Sequence, residues 1–74
     1  MEYDFDVKLV SETGRWIVEI DSAANYGYFE DTVNSGEGGL WFEGKTLVDY
    51  DGFAELPKTV ERMLVDASYD LSDI

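Results

Sequence analysis

Residues 2–21, EYDFDVKLV-SETG-RWIVEID, decide the fold. From Glu2 to Val10 the residues alternate, with Tyr3, Phe5, Val7 and Leu9 on one face and Glu2, Asp4, Asp6 and Lys8 on the other. Successive strand side chains point to opposite faces, so this is the period of a half-buried strand. Ser11-Glu12-Thr13-Gly14 is turn chemistry, and alternation resumes from Arg15 to Asp21 with Trp16, Val18 and Ile20 inward. The two runs predict an antiparallel hairpin of strands 2–10 and 15–21.

Working outward, Asp21-Ser22-Ala23-Ala24-Asn25 breaks the pattern, and 26–33 reads as a third strand with Gly27 as a bulge or close-approach point. Asn34-Ser35-Gly36-Glu37-Gly38-Gly39 reads as a flexible connection. A fourth strand at 40–43, a tight Gly44-Lys45 turn and a fifth strand at 46–50 follow, closed by a turn at Asp49-Tyr50-Asp51-Gly52. A helix is predicted over 57–68. Pro57 suits its first position, Val60, Met63, Leu64 and Ala67 form the i, i+3, i+4, i+7 stripe, and Leu56 is placed to pack back as a staple. Residues 69–74 are expected to fray. The fold class is α+β, one domain over 1–74: an antiparallel four- to five-stranded sheet with one C-terminal helix on one face.

The chain carries seventeen Asp and Glu against five Lys and Arg, a net charge of −12 on 74 residues, yet 45% of it is hydrophobic and 15% aromatic. Such a chain folds, and its field attracts something basic. Residues 1–31 hold eight acids against two bases, 32–56 five against one, and 57–74 four against two. The excess therefore belongs to the strands and turns, and a helix covering one sheet face leaves the other face and the loop ends to carry it. A folded chain of this mass exposes about 4,600 Å², or roughly 380 Å² per net charge. Duplex DNA carries one charge per about 107 Å² of a ~10 Å cylinder, so charge concentrated on half the protein comes within about twofold of DNA.

Several functions are excluded or disfavoured. There is no cysteine for disulfides or zinc–thiolate sites. No run approaches the ~18 apolar residues of a membrane span, and the N-terminus lacks a signal-peptide layout. The expectation is a soluble, cytoplasmic protein, in the host cytoplasm if phage-encoded. Lys and Arg are too few to hold anionic lipid or nucleic acid directly. Histidine is also absent, as are a phosphate-cradling glycine motif and a nucleophile elbow, so the chain is read as non-enzymatic. Asp49-x-Asp51 does not follow calcium-loop spacing, because Gly52 comes at position four and Val60 at position twelve. No cofactor and no metal are expected.

Two sets of residues remain as candidate partner-binding sites. The first is acidic: Glu2, Asp4 and Asp6 on the first strand, Glu19 and Asp21 on the second, Glu30, Asp31 and Glu37 around the glycine-rich connection, and Asp49 and Asp51 beside the helix entrance. Carboxylates at i and i+2 of a strand stand ~6.6–6.8 Å apart, close to the ~7 Å between adjacent phosphates of one DNA strand. Solvated strand faces carry charge without any partner, and Glu55 near a helix start is favourable for local reasons. The second set is aromatic. Alternation puts Tyr26 and Tyr28 opposite to Phe29, and Trp41 opposite to Phe42, so some aromatics must face outward. Tyr28 and Trp41 are the candidate anchors.

The segments Tyr26-Gly27-Tyr28-Phe29-Glu30-Asp31, Gly38-Gly39-Leu40-Trp41-Phe42-Glu43, Leu47-Val48-Asp49-Tyr50-Asp51-Gly52 and Leu56-Pro57 resemble a family of small acidic proteins of phage and bacterial genomes. In size, acidity and lack of catalytic residues the chain is also similar in character to phage anti-CRISPR and anti-restriction DNA mimics. That likeness implies an inhibitor of a basic nucleic-acid-binding protein, such as a CRISPR effector or surveillance complex. It carries over no residue roles, since those proteins share no sequence signature. The alternatives are a protein–protein adaptor or antitoxin-like binder that uses the aromatic patch, and a halophile's protein whose acidity reflects its solvent. A homodimer would enlarge so small a core.

Overall fold

The computed structural model describes residues 3–74. Five strands, β1 (Val7–Val10), β2 (Trp16–Asp21), β3 (Tyr26–Asp31), β4 (Gly36–Glu43) and β5 (Thr46–Tyr50), precede one helix, α1 (Lys58–Asp66). The strands lie in the order β1-β2-β3-β4-β5, each antiparallel to the next, so the sheet is a meander. The fold is α+β, as the alternating runs and the single apolar helix stripe require. Short turns join the strands, and several place one residue in the left-handed region: Gly14, Asn25, Ser35 and Gly44. Glycine, asparagine and short polar residues tolerate that conformation best.

The pairing register sorts side chains between two faces. The covered face carries Trp16, Val18 and Ile20 of β2, Phe29 of β3, Leu40 and Phe42 of β4 and Leu47 of β5. Leu56, Val60 and Leu64 close over them, with Met63 and Ala67 packed at the margin, so the predicted helix stripe is the buried one. Each fully buried aliphatic or aromatic side chain of this kind contributes about 1.5–3 kcal/mol relative to exposure. Phe53, in the β5–α1 connection, stacks on both Trp16 and Phe29, with ring centroids 6.1 and 5.3 Å apart.

Several expectations are corrected. The first strand begins at Val7, not at residue 2, and its alternation breaks at Asp6. Val7 and Leu9 pack on the covered face, whereas the Tyr3 and Phe5 rings stack on Tyr26 and Tyr28 of the other face. Residues 3–6 lie outside the ladder, tied to the end of β2 by Asp4 N–H to Asp21 and by Ser22 N–H to Asp6.

The glycine-rich segment is no flexible connection. Gly36, Glu37, Gly38 and Gly39 pair with Asp31, Glu30, Phe29 and Tyr28, which leaves residues 32–35 as the turn and ends β3 at Asp31. Glycine is needed there because neighbours fill the space: a Cβ on Gly38 would meet the Phe29 ring at 2.7 Å, and one on Gly39 the Trp41 ring at 2.7 Å. The tail does not fray either. Ser68, at φ 73°, turns the chain, Tyr69 is buried against Phe42, and Asp70 forms a parallel bridge with Thr46. That bridge covers part of the β5 edge, where unpaired backbone would otherwise invite another strand. Pro57 stands one residue before the helix, as its N-cap.

Candidate functional site

The helix leaves the second face of the sheet open, and the register writes its surface as a grid. One row runs Asp21, Tyr26, Trp41, Asp49 from β2 to β5; the next runs Glu19, Tyr28, Gly39 and the third Ile17, Glu30, Glu37. A bulge in β5 completes the first row. The pairing steps from Phe42↔Leu47 to Trp41↔Asp49, so Val48 is the extra residue and Asp49 turns to the open face beside Trp41. The centre of the grid is aromatic. Tyr26 lies 5.5 Å from Trp41 and 4.9 Å from Tyr3, while Phe5 meets Tyr28 edge-on at 5.3 Å.

Trp41 leans over Gly39, the residue without a side chain two positions before it, and remains 37% exposed. Asp51 accepts the Gly39 N–H through Oδ1 at 2.7 Å, which brings a carboxylate to the same place. The result is a recess of about 570 Å³ walled by Tyr26, Tyr28 and Trp41 and edged by Glu30, Glu37 and Asp51. Tyr28 is fixed by donating its O–H to Glu19, and this bond to a carboxylate pushes the phenol up to about 12.

Charge on this face is not balanced. Glu30 and Glu37 stand directly opposite each other, a placement that costs stability. The ion pairs among the described residues, Arg15–Asp31 and Lys58–Glu61, involve neither. The cations lie mostly elsewhere. Lys8, opposite Glu19, is the cation that the register puts on the open face. Arg15, Lys58 and Arg62 instead edge a cavity of about 650 Å³ between the β1–β2 turn and α1, and Lys45 sits over the Tyr69 ring at 4.1 Å. The molecule therefore has an acidic, aromatic face and a side where its few cations gather.

The structure divides the acidic residues singled out in the sequence. Glu30, Glu37, Asp49 and Asp51 reach the open face, with Glu19 beside them and bonded to Tyr28. Asp21 and Asp31 do not serve as surface charge. Asp31 is 3% exposed and accepts from Arg15 Nε and Nη2, from the Val33 and Asn34 N–H groups and from Asn34 Nδ2. Arg15 and those N–H donors hold its carboxyl well below the usual range. Asp21 is buried and accepts the Asp4 and Ala24 N–H groups. Both are corrected to turn-building residues: a short carboxylate at a strand end can satisfy the backbone donors of the following turn. Asp6 accepts from Ser22 N–H, which lowers its pKa, and Asp4 is exposed beside it, so the two do not form a strand row at phosphate spacing. Glu2 lies outside the described residues. Tyr28 and Trp41 both face the open side, as parity requires. Tyr26 belongs with them, and parity with Tyr28 already marks it. Tyr3 and Phe5 lie against the open face rather than on the face of Val7 and Leu9, and no local signal reports the break at Asp6.

Comparison with known proteins finds no matching family model, no similar curated protein and no similar solved structure.

Proposed function

We propose, on the strength of its own surface, that this chain is a non-catalytic binding protein that docks its open sheet face onto a Lys/Arg-rich protein surface. Such a surface is what a nucleic-acid-binding protein offers to phosphates, and occupying it makes the chain a stoichiometric inhibitor, with a CRISPR effector or similar defence complex as the target class. The observation that carries this reading is the pairing of Glu30 with Glu37 across β3 and β4, with Asp51 at the same recess and Asp49 two rows away on the same face, and with no ion pair among the described residues engaging any of the four. Like charges held opposite one another lower stability, so their place is at a partner's positive groups.

The geometry changes how mimicry would operate. With Asp21 and Asp31 buried and no carboxylate row on β1, the surface is less a copy of a phosphate backbone than an aromatic patch with an acidic rim. Aromatic anchors supply affinity at the centre of an interface, and rim charge supplies steering and selectivity. The adaptor reading, in which the aromatic patch alone binds, is thereby joined to the acidic one. A pull-down against basic nucleic-acid-binding proteins tests it: capture is expected with the native chain and lost in the variant Glu30→Gln, Glu37→Gln, Asp49→Asn, Asp51→Asn. Retention of the same partners by that variant would overturn the proposal.

A further inference from the structure

The recess at the centre of the open face has a shape and chemistry more specific than general acidity. Two of its walls, Tyr26 and Trp41, are inclined at 60° with centroids 5.5 Å apart, and Tyr28 stands on the same strand as Tyr26. The Gly38 and Gly39 backbone lines it between these walls, with the Trp41 ring lying over Gly39. Glu30 and Glu37 converge from adjacent strands at one edge. Asp51 spends Oδ1 on the Gly39 N–H, and no other hydrogen bond of the described residues engages its Oδ2.

We infer that this recess is a socket for one arginine side chain of the basic partner, and so names the partner's anchor; the inference rests on the reading of the open face as a basic-partner site. A guanidinium is a planar cation that stacks on aromatic faces and donates in a fixed fork to carboxylates. The recess offers both, aromatic faces for the plane and carboxylates at its edge for the fork. Lysine carries a compact, strongly hydrated charge that uses the carboxylates but gains less from the ring planes. The hydrogen bond to Glu19 holds the Tyr28 phenol in place, so part of the socket is formed before the partner arrives.

The test is a nuclear magnetic resonance titration of the full chain with the N-acetyl methylamides of arginine, lysine and citrulline, beside nine-residue all-arginine and all-lysine peptides. Arginine methylamide is expected to shift the Trp41 indole and Gly39 amide signals, at least about threefold more tightly than lysine methylamide, with citrulline inert. Trp16, 8% exposed, serves as the internal reference and should not move. Trp41→Leu should abolish the preference for arginine. Tyr26→Leu serves the same purpose if Trp41→Leu disturbs the backbone spectrum. Equal binding of both peptides and both methylamides would overturn the arginine socket while leaving the basic-partner reading intact. Failure of both peptides to bind at ~0.05 M salt, where surface electrostatics is strongest, would overturn both readings.

Discussion

Arg15 grips Asp31 with two parallel hydrogen bonds, Nε to Oδ1 at 3.0 Å and Nη2 to Oδ2 at 2.8 Å, and thereby ties the β1–β2 turn to the β3–β4 turn. The same carboxylate accepts from Val33 and Asn34, so one buried charge organises both turns at that end of the sheet. Its pKa lies below the ordinary value of 3.8. A carboxylate depressed by folding adds stability that is fully present above its unfolded pKa and is lost as pH falls through the folded one. Unfolding followed by circular dichroism should therefore show stability declining as pH drops below about 4, and Asp31→Asn should lower stability at neutral pH and flatten that decline. An Asp31→Asn variant with an unchanged acid limb would show that this carboxylate does not couple folding to pH.

Neutralising Glu30 or Glu37 should stabilise the protein. The two face each other and neither joins an ion pair among the described residues, so removing one charge relieves about 0.2–1 kcal/mol of cross-strand repulsion. Urea unfolding of Glu37→Gln is expected to move to a higher midpoint with an unchanged slope, while binding to the basic partner weakens. Stability gained and binding lost together would mark a charge kept for function. A fall in stability would show that the pair is locally compensated.

Gly38→Ala should destabilise by about 1–3 kcal/mol, the usual cost of overpacking a filled site. The new methyl would press on the Phe29 ring and on the backbone of Asp51. Thermal unfolding measures it, and a neutral result would contradict the reading of this segment as a paired strand under the Phe29–Phe53 stack.

The Tyr28 phenol should titrate near 12, because its hydrogen bond to Glu19 favours the protonated form. Its pKa is raised on folding, so the bond's contribution is complete below the ordinary value of 10.0 and is lost as pH rises from there toward 12. Absorbance near 295 nm, compared between the native chain and Tyr28→Phe, isolates this group. Glu19→Gln should bring its midpoint down toward the ordinary value.

The strands and the helix were legible wherever side chains carry a period. Trp16, Val18 and Ile20 alternate, Val60 and Leu64 sit four apart, and Gly44-Lys45 marks a two-residue turn, and each of these became the element it indicates. The glycines at 36, 38 and 39 carry no side chain and hence no parity, so a paired strand looks like a loop. What makes glycine necessary there, the Phe29 and Trp41 rings, comes from other positions. The site was half legible for the same reason. Parity put Tyr28 and Trp41 on the open face, but an aspartate that serves a turn and one that faces solvent are the same letter. Asp21 and Asp31 differ from Asp49 and Asp51 in which donors folding brings to them, turn N–H groups for both and the Arg15 guanidinium for Asp31.

The central claim is that the open face occupies a partner's cationic surface. It is tested most directly by competition: labelled duplex DNA bound to each of a set of nucleic-acid-binding effectors, titrated with this chain from ~0.05 to 0.5 M salt, a range that shortens the screening length severalfold. The account predicts stoichiometric displacement of DNA from at least one effector, weakening as salt rises and lost when Glu30, Glu37, Asp49 and Asp51 are neutralised together. Displacement that survives that neutralisation, or none from any effector at low salt, would contradict it.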